Sequence, residues 1–184
     1  MKKMSLVGIS GSLRRASTNS FLVREAARRF GTDAFVFADI RFPLFDADLK
    51  EAEGIPAVVQ TLRDQIARAD AVVVSTPEYN KGISGVLKNA LDWISVTDEN
   101  PWLNKPVALV SAAAGRAGGE RAQSMARLAL TPFRPRLLTG PEVMIANTAD
   151  QWDEKGLLIN ARSAKQLDAL MDELRLEVLR MQAG

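Results

Sequence analysis

The run Asp70-Ala71-Val72-Val73-Val74-Ser75 constrains the fold of this chain more than any other segment. It is apolar without alternation and β-branched at its centre. A strand with one face in water would alternate, so this one is expected to be buried on both faces at the centre of a parallel sheet. Met4-Ser5-Leu6-Val7-Gly8-Ile9 reads as a buried strand too, and Pro106-Val107-Ala108-Leu109-Val110-Ser111 as a further strand. A sheet covered on both faces needs helices between its strands. Helical signals lie at residues 19–29, 55–68 (with Pro56 in the first turn), 85–96 and 119–130. A long amphipathic helix over 161–181 carries Leu167, Leu170, Met171, Leu174 and Val178 on one face. A second strand is expected at 34–38 and a fifth within 136–145, where Thr139-Gly140-Pro141 is placed to break it in two. Pro43, Asp46 and Asp48 mark a polar loop, as do residues 147–156.

Five β/α units of this size predict a doubly wound α/β fold of flavodoxin-like order: a five-stranded parallel sheet 2-1-3-4-5 with helices on both faces. The 184 residues suffice for a single domain, 1–184, with no repeat or interdomain linker. The N-terminus is basic at Lys2-Lys3 and then enters a strand too short for a signal sequence. No apolar stretch approaches the roughly 20 residues that span a bilayer, so a cytoplasmic protein without membrane contact is expected. The net charge of +2 is mild and its basic residues are scattered, against a nucleic-acid partner. There is no cysteine and no histidine. That excludes disulfides, thiolate catalysis, the Ser-His-Asp triad and the usual metal ligands. A chain so equipped catalyses reactions when a cofactor carries the chemistry.

In a doubly wound sheet, ligands bind beyond the carboxyl ends of the strands, where the strand order reverses. Unusual sequence stands at those ends. After the first strand comes Ser10-Gly11-Ser12-Leu13-Arg14-Arg15-Ala16-Ser17, then Asn19. Hydroxyls, backbone N–H groups and a helix N-terminus converge there, a setting for a phosphate monoester. One of Ser17, Thr18 or Asn19 would serve as an ordinary helix cap, but one cap does not account for Ser10, Ser12, Ser17, Asn19 and Arg14 together. The Walker pattern is absent, and so is the Gly-x-Gly-x-x-Gly dinucleotide fingerprint, since Gly8 and Gly11 stand alone. After the third strand comes Thr76-Pro77-Glu78-Tyr79-Asn80-Lys81-Gly82. Tyr79 offers a flat face there, and the N–H groups of Glu78, Tyr79 and Asn80 are expected to meet a heterocycle edge. After the fourth comes Ala112-Ala113-Ala114-Gly115-Arg116-Ala117-Gly118-Gly119, whose small residues let a ligand approach the backbone.

These segments, joined by Gly85-x-Leu87-Lys88-Asn89-Ala90-Leu91-Asp92-Trp93, closely resemble the NADPH-dependent FMN reductase family from about residue 6 to about residue 145. The family includes quinone, chromate, azo and ferric reductases. The resemblance implies non-covalent FMN in a flavodoxin-like fold, NAD(P)H as co-substrate, and a homodimer or dimer of dimers. It implies that Ser12, Arg14, Ser17 and Asn19 bind the FMN phosphate and that Pro77, Glu78, Tyr79 and Asn80 lie along the isoalloxazine. Leu87, Leu91 and Trp93 would pack their helix, with Asn89 and Asp92 ordering nearby loops. Two positions depart from the pattern. Ala113 stands where many relatives carry a hydroxyl, leaving backbone N–H contact to the ring there and at Gly115. Lys81 replaces a residue that is often aromatic; Lys81 and Arg116 are candidate contacts for the dinucleotide phosphates.

The implied reaction is a two-step exchange in which NAD(P)H gives hydride to flavin N5 and a quinone, or a chromate, ferric or azo acceptor, then takes the electrons at the same place. No catalytic side chain is required. A reductase releasing reduced FMN is one alternative. An electron carrier of the flavodoxin type is another, although such carriers are strongly acidic and this chain is not. A flavin-dependent interaction protein is a third.

Overall fold

A computed structural model describes residues 4–183; the basic pair Lys2-Lys3 lies outside them. The sheet has the predicted order. Strand β1 (Leu6–Ser10) lies between β2 (Phe35–Phe37) and β3 (Ala71–Thr76), and β3 pairs with β4 (Pro106–Ala112), all parallel. The fifth strand is broken as expected. β5 (Arg136–Leu137) pairs with the start of β4, and β6 (Val143–Ile145) with its end. Gly140-Pro141 interrupts them, because proline has no N–H to give to a ladder.

The unbroken apolar runs are now explained by two cores. Val72, Val74, Val107 and Leu109 face one side, packed with buried residues of three helices: α3 (Ala57–Arg68), α4 (Gly85–Ser95) and α5 (Glu120–Leu130). Ala71, Val73, Ala108 and Val110 face the other, under α1 (Thr18–Phe30) and the long C-terminal α6 (Ala161–Ala183). The second face uses small residues and Gly8, and a Cβ on Gly8 would stand 2.3 Å from Val23 Cγ1. Helix α1 therefore sits close on the sheet, and its N-terminus is held at the carboxyl edge of the strands.

Three sequence expectations are corrected. The region around Asp46 and Asp48 is not all loop, for α2 (Ala47–Glu53) forms there with Asp46 Oδ1 accepting from Asp48 N–H at 2.9 Å. It has no buried residue, so no apolar stripe announced it. Pro56 precedes α3 as its cap rather than lying in its first turn. Asp92 orders no loop; its carboxylate takes Lys88 Nζ one turn earlier on the same helix. Asn89 does what was expected, accepting from Phe45 N–H and donating to Pro43 O, beside the Trp93 indole N–H that reaches the same carbonyl.

Helices α1 and α6 are joined through a buried carboxylate. Glu25, inside α1, accepts from Arg28 and Arg29, and Arg29 continues to Asp168 on α6 at 2.6 Å. Burial pushes the Glu25 pKa up, but the hydrogen bonds from Arg28 and Arg29 and their charge outweigh it and hold the group below the ordinary carboxylate value. A depressed folded pKa stabilises the protein above the unfolded value of about 4.3, and that contribution is lost as pH falls through the folded value. The stability difference between wild type and Glu25→Gln is thus expected to shrink as pH is lowered from about 6 to about 3. Thermal unfolding of both proteins across that range measures it. A difference independent of pH would show that the carboxylate charge is not what binds the helices.

Candidate functional site

The carboxyl ends of β1, β3 and β4 open into a cleft of about 260 Å³. Ser12, Arg14, Ser17 and Asn19, from the loop after β1 and the start of α1, line it together with Pro77, Glu78 and Tyr79 after β3 and Ala113 after β4. Asn80, Lys81, Gly115 and Arg116 do not line it. Sequence reasoning missed Thr148, which does. It lies just beyond β6, and the rule that ligands gather past the strand ends, applied to the second piece of the broken fifth strand, would have pointed to it.

The loop after β1 is set by close approach. Gly11 N–H donates to Ser75 O at 2.7 Å, and Ser84 Oγ, which also caps α4, donates to Gly11 O at 2.5 Å. A Cβ on Gly11 would lie 3.1 Å from Ser84 Oγ and 3.2 Å from Pro77 Cδ. The turn then enters α1 with Ser17 as its cap, accepting from Ser20 N–H. Phe21 N–H bonds Ser17 O, which leaves the N–H groups of Thr18 and Asn19 to serve a ligand at the positive helix end.

Asn19 is buried, and its amide works inward. Nδ2 donates to Ala112 O at 2.9 Å, while Oδ1 accepts from Ala112 N–H at 3.1 Å and from Ser75 Oγ at 2.8 Å. One side chain from α1 thereby ties the ends of β3 and β4 together under the cleft. Its own backbone N–H remains available to an anion. A second buried pair braces β4 from the other side. Ser111 Oγ donates to Gly118 O at 2.6 Å, and Gln123 Nε2 donates to Ser111 Oγ and to Val143 O.

Two expected backbone donors are already used. Tyr79 N–H donates to Gly82 O and Gly82 N–H returns the bond to Tyr79 O, both at 3.0 Å, closing a tight turn with Asn80 and Lys81 at positive φ. Tyr79 therefore has its exposed ring, not its N–H, to offer. Ala113 N–H donates to Ile145 O at 2.9 Å, because β6 continues the ladder on β4. The Glu78 side chain is also engaged. Its carboxylate accepts from the Arg121 N–H at 3.1 Å and from the Arg121 guanidinium at 3.2 Å. It thus caps α5, whose N-cap residue Gly119 has no side chain to do so.

The arrangement is that of a doubly wound, flavodoxin-like protein with a polar cleft at the switch point of its sheet, lined by hydroxyls, a guanidinium, a tyrosine ring and small residues. The sequence model described as NADPH-dependent FMN reductase matches residues 4–150, and the chain belongs to that family. It is 39% identical over 180 residues to an NAD(P)H-dependent FMN reductase of Pseudomonas aeruginosa, covering 97% of each chain. It is 38% identical over 148 residues to a quinone reductase of Escherichia coli, covering 78% of each. Among solved structures it is similar to FerB, a flavoenzyme NAD(P)H:(acceptor) oxidoreductase of Paracoccus denitrificans. That match has a TM-score of 0.84 at 27% identity and covers 96% of this chain and 98% of the other. Among the described residues no helix is long and apolar enough to cross a membrane, and no cluster of acidic side chains is set to hold a metal ion.

Proposed function

We propose that the cleft holds FMN non-covalently and that the protein passes electrons from NAD(P)H to a small acceptor of the quinone class. The observation that carries this is one cleft lined both by the hydroxyls and guanidinium of the loop after β1 and by Tyr79 and the small residues after β3 and β4, in a chain with neither histidine nor cysteine. FMN would supply there the hydride and electron transfer for which no side chain of the protein is suited. The relatives named above, an FMN reductase, a quinone reductase and an NAD(P)H:(acceptor) oxidoreductase, support the same reading.

The residues divide the work by their chemistry. The hydroxyl of Ser12, the guanidinium of Arg14 and the N–H groups of Thr18 and Asn19 would hold the phosphate, with the capping Ser17 fixing the helix end that presents them. Pro77, Tyr79, Ala113 and Ala114 would border the ring, while Glu78 anchors their loop to α5. The cleft is open to solvent beside Tyr79, so NAD(P)H and the acceptor would take the same exposed face in turn. Steady-state kinetics are then expected to give parallel double-reciprocal lines; intersecting lines would count against a shared face.

The decisive experiment is the anaerobic visible spectrum of FMN-loaded protein before and after NADPH, with NADH in parallel. Bleaching of the bound flavin supports a reductase. A flavin that binds and stays yellow makes the protein an electron carrier. For the phosphate assignment, Arg14→Ala is expected to weaken FMN by about 1.5–3 kcal/mol, the scale of a hydrogen bond to a charged group. Titration of apoprotein by flavin fluorescence reads this. Unchanged affinity would remove Arg14 from the site.

A further inference from the structure

Helix α5 holds the loop after β3 at two points. Arg121, in its first turn, takes the Glu78 carboxylate. Met125, one turn further along the same face, lies against Gly82. A Cβ on Gly82 would stand 2.8 Å from Met125 Sδ and 3.9 Å from its Cε, so the glycine makes room for the thioether. Between these two points runs the tight turn that carries Tyr79 beside the cleft. That turn is costly by itself. Asn80 and Lys81 have φ of 50° and 65°, a region in which residues other than glycine are strained. Its placement against α5 rests on the Glu78 ion pair on one side and the Met125 thioether on the other.

The same thioether is open to solvent. Met125 is 42% exposed, and among the described methionines only Met181, at 41%, is comparable. Met171 is fully buried, and Met4 and Met144 are partly buried. Met181 stands near the end of α6, where its neighbour Gln182 bonds Asp70 just before β3. It is therefore at the opposite edge of the sheet from the cleft. Exposed thioethers are oxidised to sulfoxides, which are polar and disrupt apolar contacts. At Gly82 the new oxygen would meet a backbone N–H already spent on Tyr79 O. An oxygen without a donor turns to water, and the side chain lifts off the glycine.

We propose that Met125 is a redox modification site, at which hydrogen peroxide forms the sulfoxide and frees the Tyr79 turn from α5. A sulfur lone pair attacks one peroxide oxygen, the S–O bond forms as the O–O bond breaks, and the other oxygen leaves as water with both protons. The sulfur loses two electrons and the peroxide gains them. A reduced flavin open to solvent makes peroxide from dioxygen, so the modification acts back on the site that produces its oxidant. This feedback rests on the reductase reading above; the reaction at sulfur does not.

The test is exposure of FMN-loaded protein to limiting hydrogen peroxide. Peptide mass spectrometry locates the oxidised methionines, and flavin released on dilution is read by its fluorescence. Met125 and Met181 are expected to gain oxygen first, and flavin to be held about fivefold more weakly. Met125→Leu, a swap that keeps the volume, is expected to bind flavin equally before and after peroxide. Met181→Leu is expected to lose affinity as the wild type does, and methionine sulfoxide reductase to restore the oxidised wild type. Met125 reacting no faster than buried Met171 overturns the proposal. So does a protein oxidised at Met125 that holds flavin unchanged, or a Met125→Leu variant that weakens like the wild type. Hydrogen exchange reads the turn itself. The Tyr79 and Gly82 N–H groups are expected to exchange faster after oxidation, and unchanged protection also overturns the proposal. None of these readings needs hydride transfer. A protein that behaves as expected but whose flavin stays yellow with NADPH would refute the reductase reading and leave the modification site standing.

Discussion

Asn19→Ala is expected to destabilise the protein by about 2–4 kcal/mol, the cost of stranding several buried polar groups at about 1–3 kcal/mol each. The groups are named by the geometry: Ala112 N–H, Ala112 O and the Ser75 hydroxyl all bond to this one amide. The sum is kept below three full penalties because Ala112 borders the cleft, where water can reach part of the gap. For a chain of this length the loss corresponds to a fall in Tm of roughly 4–16 °C, measured on apoprotein by thermal unfolding. Asn19→Asp is the sharper variant. Ala112 N–H can only donate, so one oxygen must face it, and the second oxygen would then meet Ala112 O without a proton between them. It is expected to be at least as damaging as alanine at neutral pH. A loss under about 0.5 kcal/mol for either variant, the ordinary range for a surface change, would show that the amide does not brace the site.

Gly118→Ala is expected to cost about 2–5 kcal/mol, from two sources that add. Gly118 has φ of +59°, where an L side chain costs roughly 1–2 kcal/mol. Its Cβ would also lie 2.8 Å from both C and O of Met144, and overpacking of this kind costs about 1–3 kcal/mol. The obstructing atoms are backbone, so no rotamer change relieves them. Either β6 must move off β4 or the loop between β4 and α5 must refold. Both routes alter the wall of the cleft at Ala113, whose N–H is held by Ile145 O. The variant is therefore expected to lose flavin affinity together with stability in denaturant titration. Gly115→Ala is the control: it lacks positive φ, and no atom stands within 4 Å of its added Cβ. If Gly118→Ala behaves like Gly115→Ala, the contact with Met144 does not hold the loop.

Much of the architecture was legible because burial on both faces leaves a local mark. The run Val72-Val73-Val74 can sit only in a sheet covered twice, and helical periods between such runs leave few topologies. The break near Gly140-Pro141 was equally local. The short helix after Asp46 was not legible, since it buries nothing and rests on one capping carboxylate and ordinary helix formers. The same division runs through the site. Ser12, Arg14, Ser17 and Tyr79 were found from residue types at strand ends, Pro77 and Ala113 from the family resemblance, and the fold brings them to one cleft. The uses of individual donors were not. Tyr79 and Ala113 each spend an N–H on a partner that only folding brings near, Gly82 across a turn and Ile145 across the sheet.

From sequence alone came the doubly wound class, the edge of the sheet where the cleft opens, and the need for a cofactor in a chain without histidine or cysteine. These follow from composition and from periodicities of two and 3.6 residues, which are properties of neighbours along the chain. Tertiary structure alone decided that Asn19 braces the sheet, that Glu78 caps α5, and that Arg15, Arg24 and Arg41 gather beside the loop after β1. Each is a meeting of side chains with groups brought close by the packing of α1, α5 and the strand ends. A hydrogen bond or ion pair of a few ångströms is set by that packing, not by any pattern in the residues themselves.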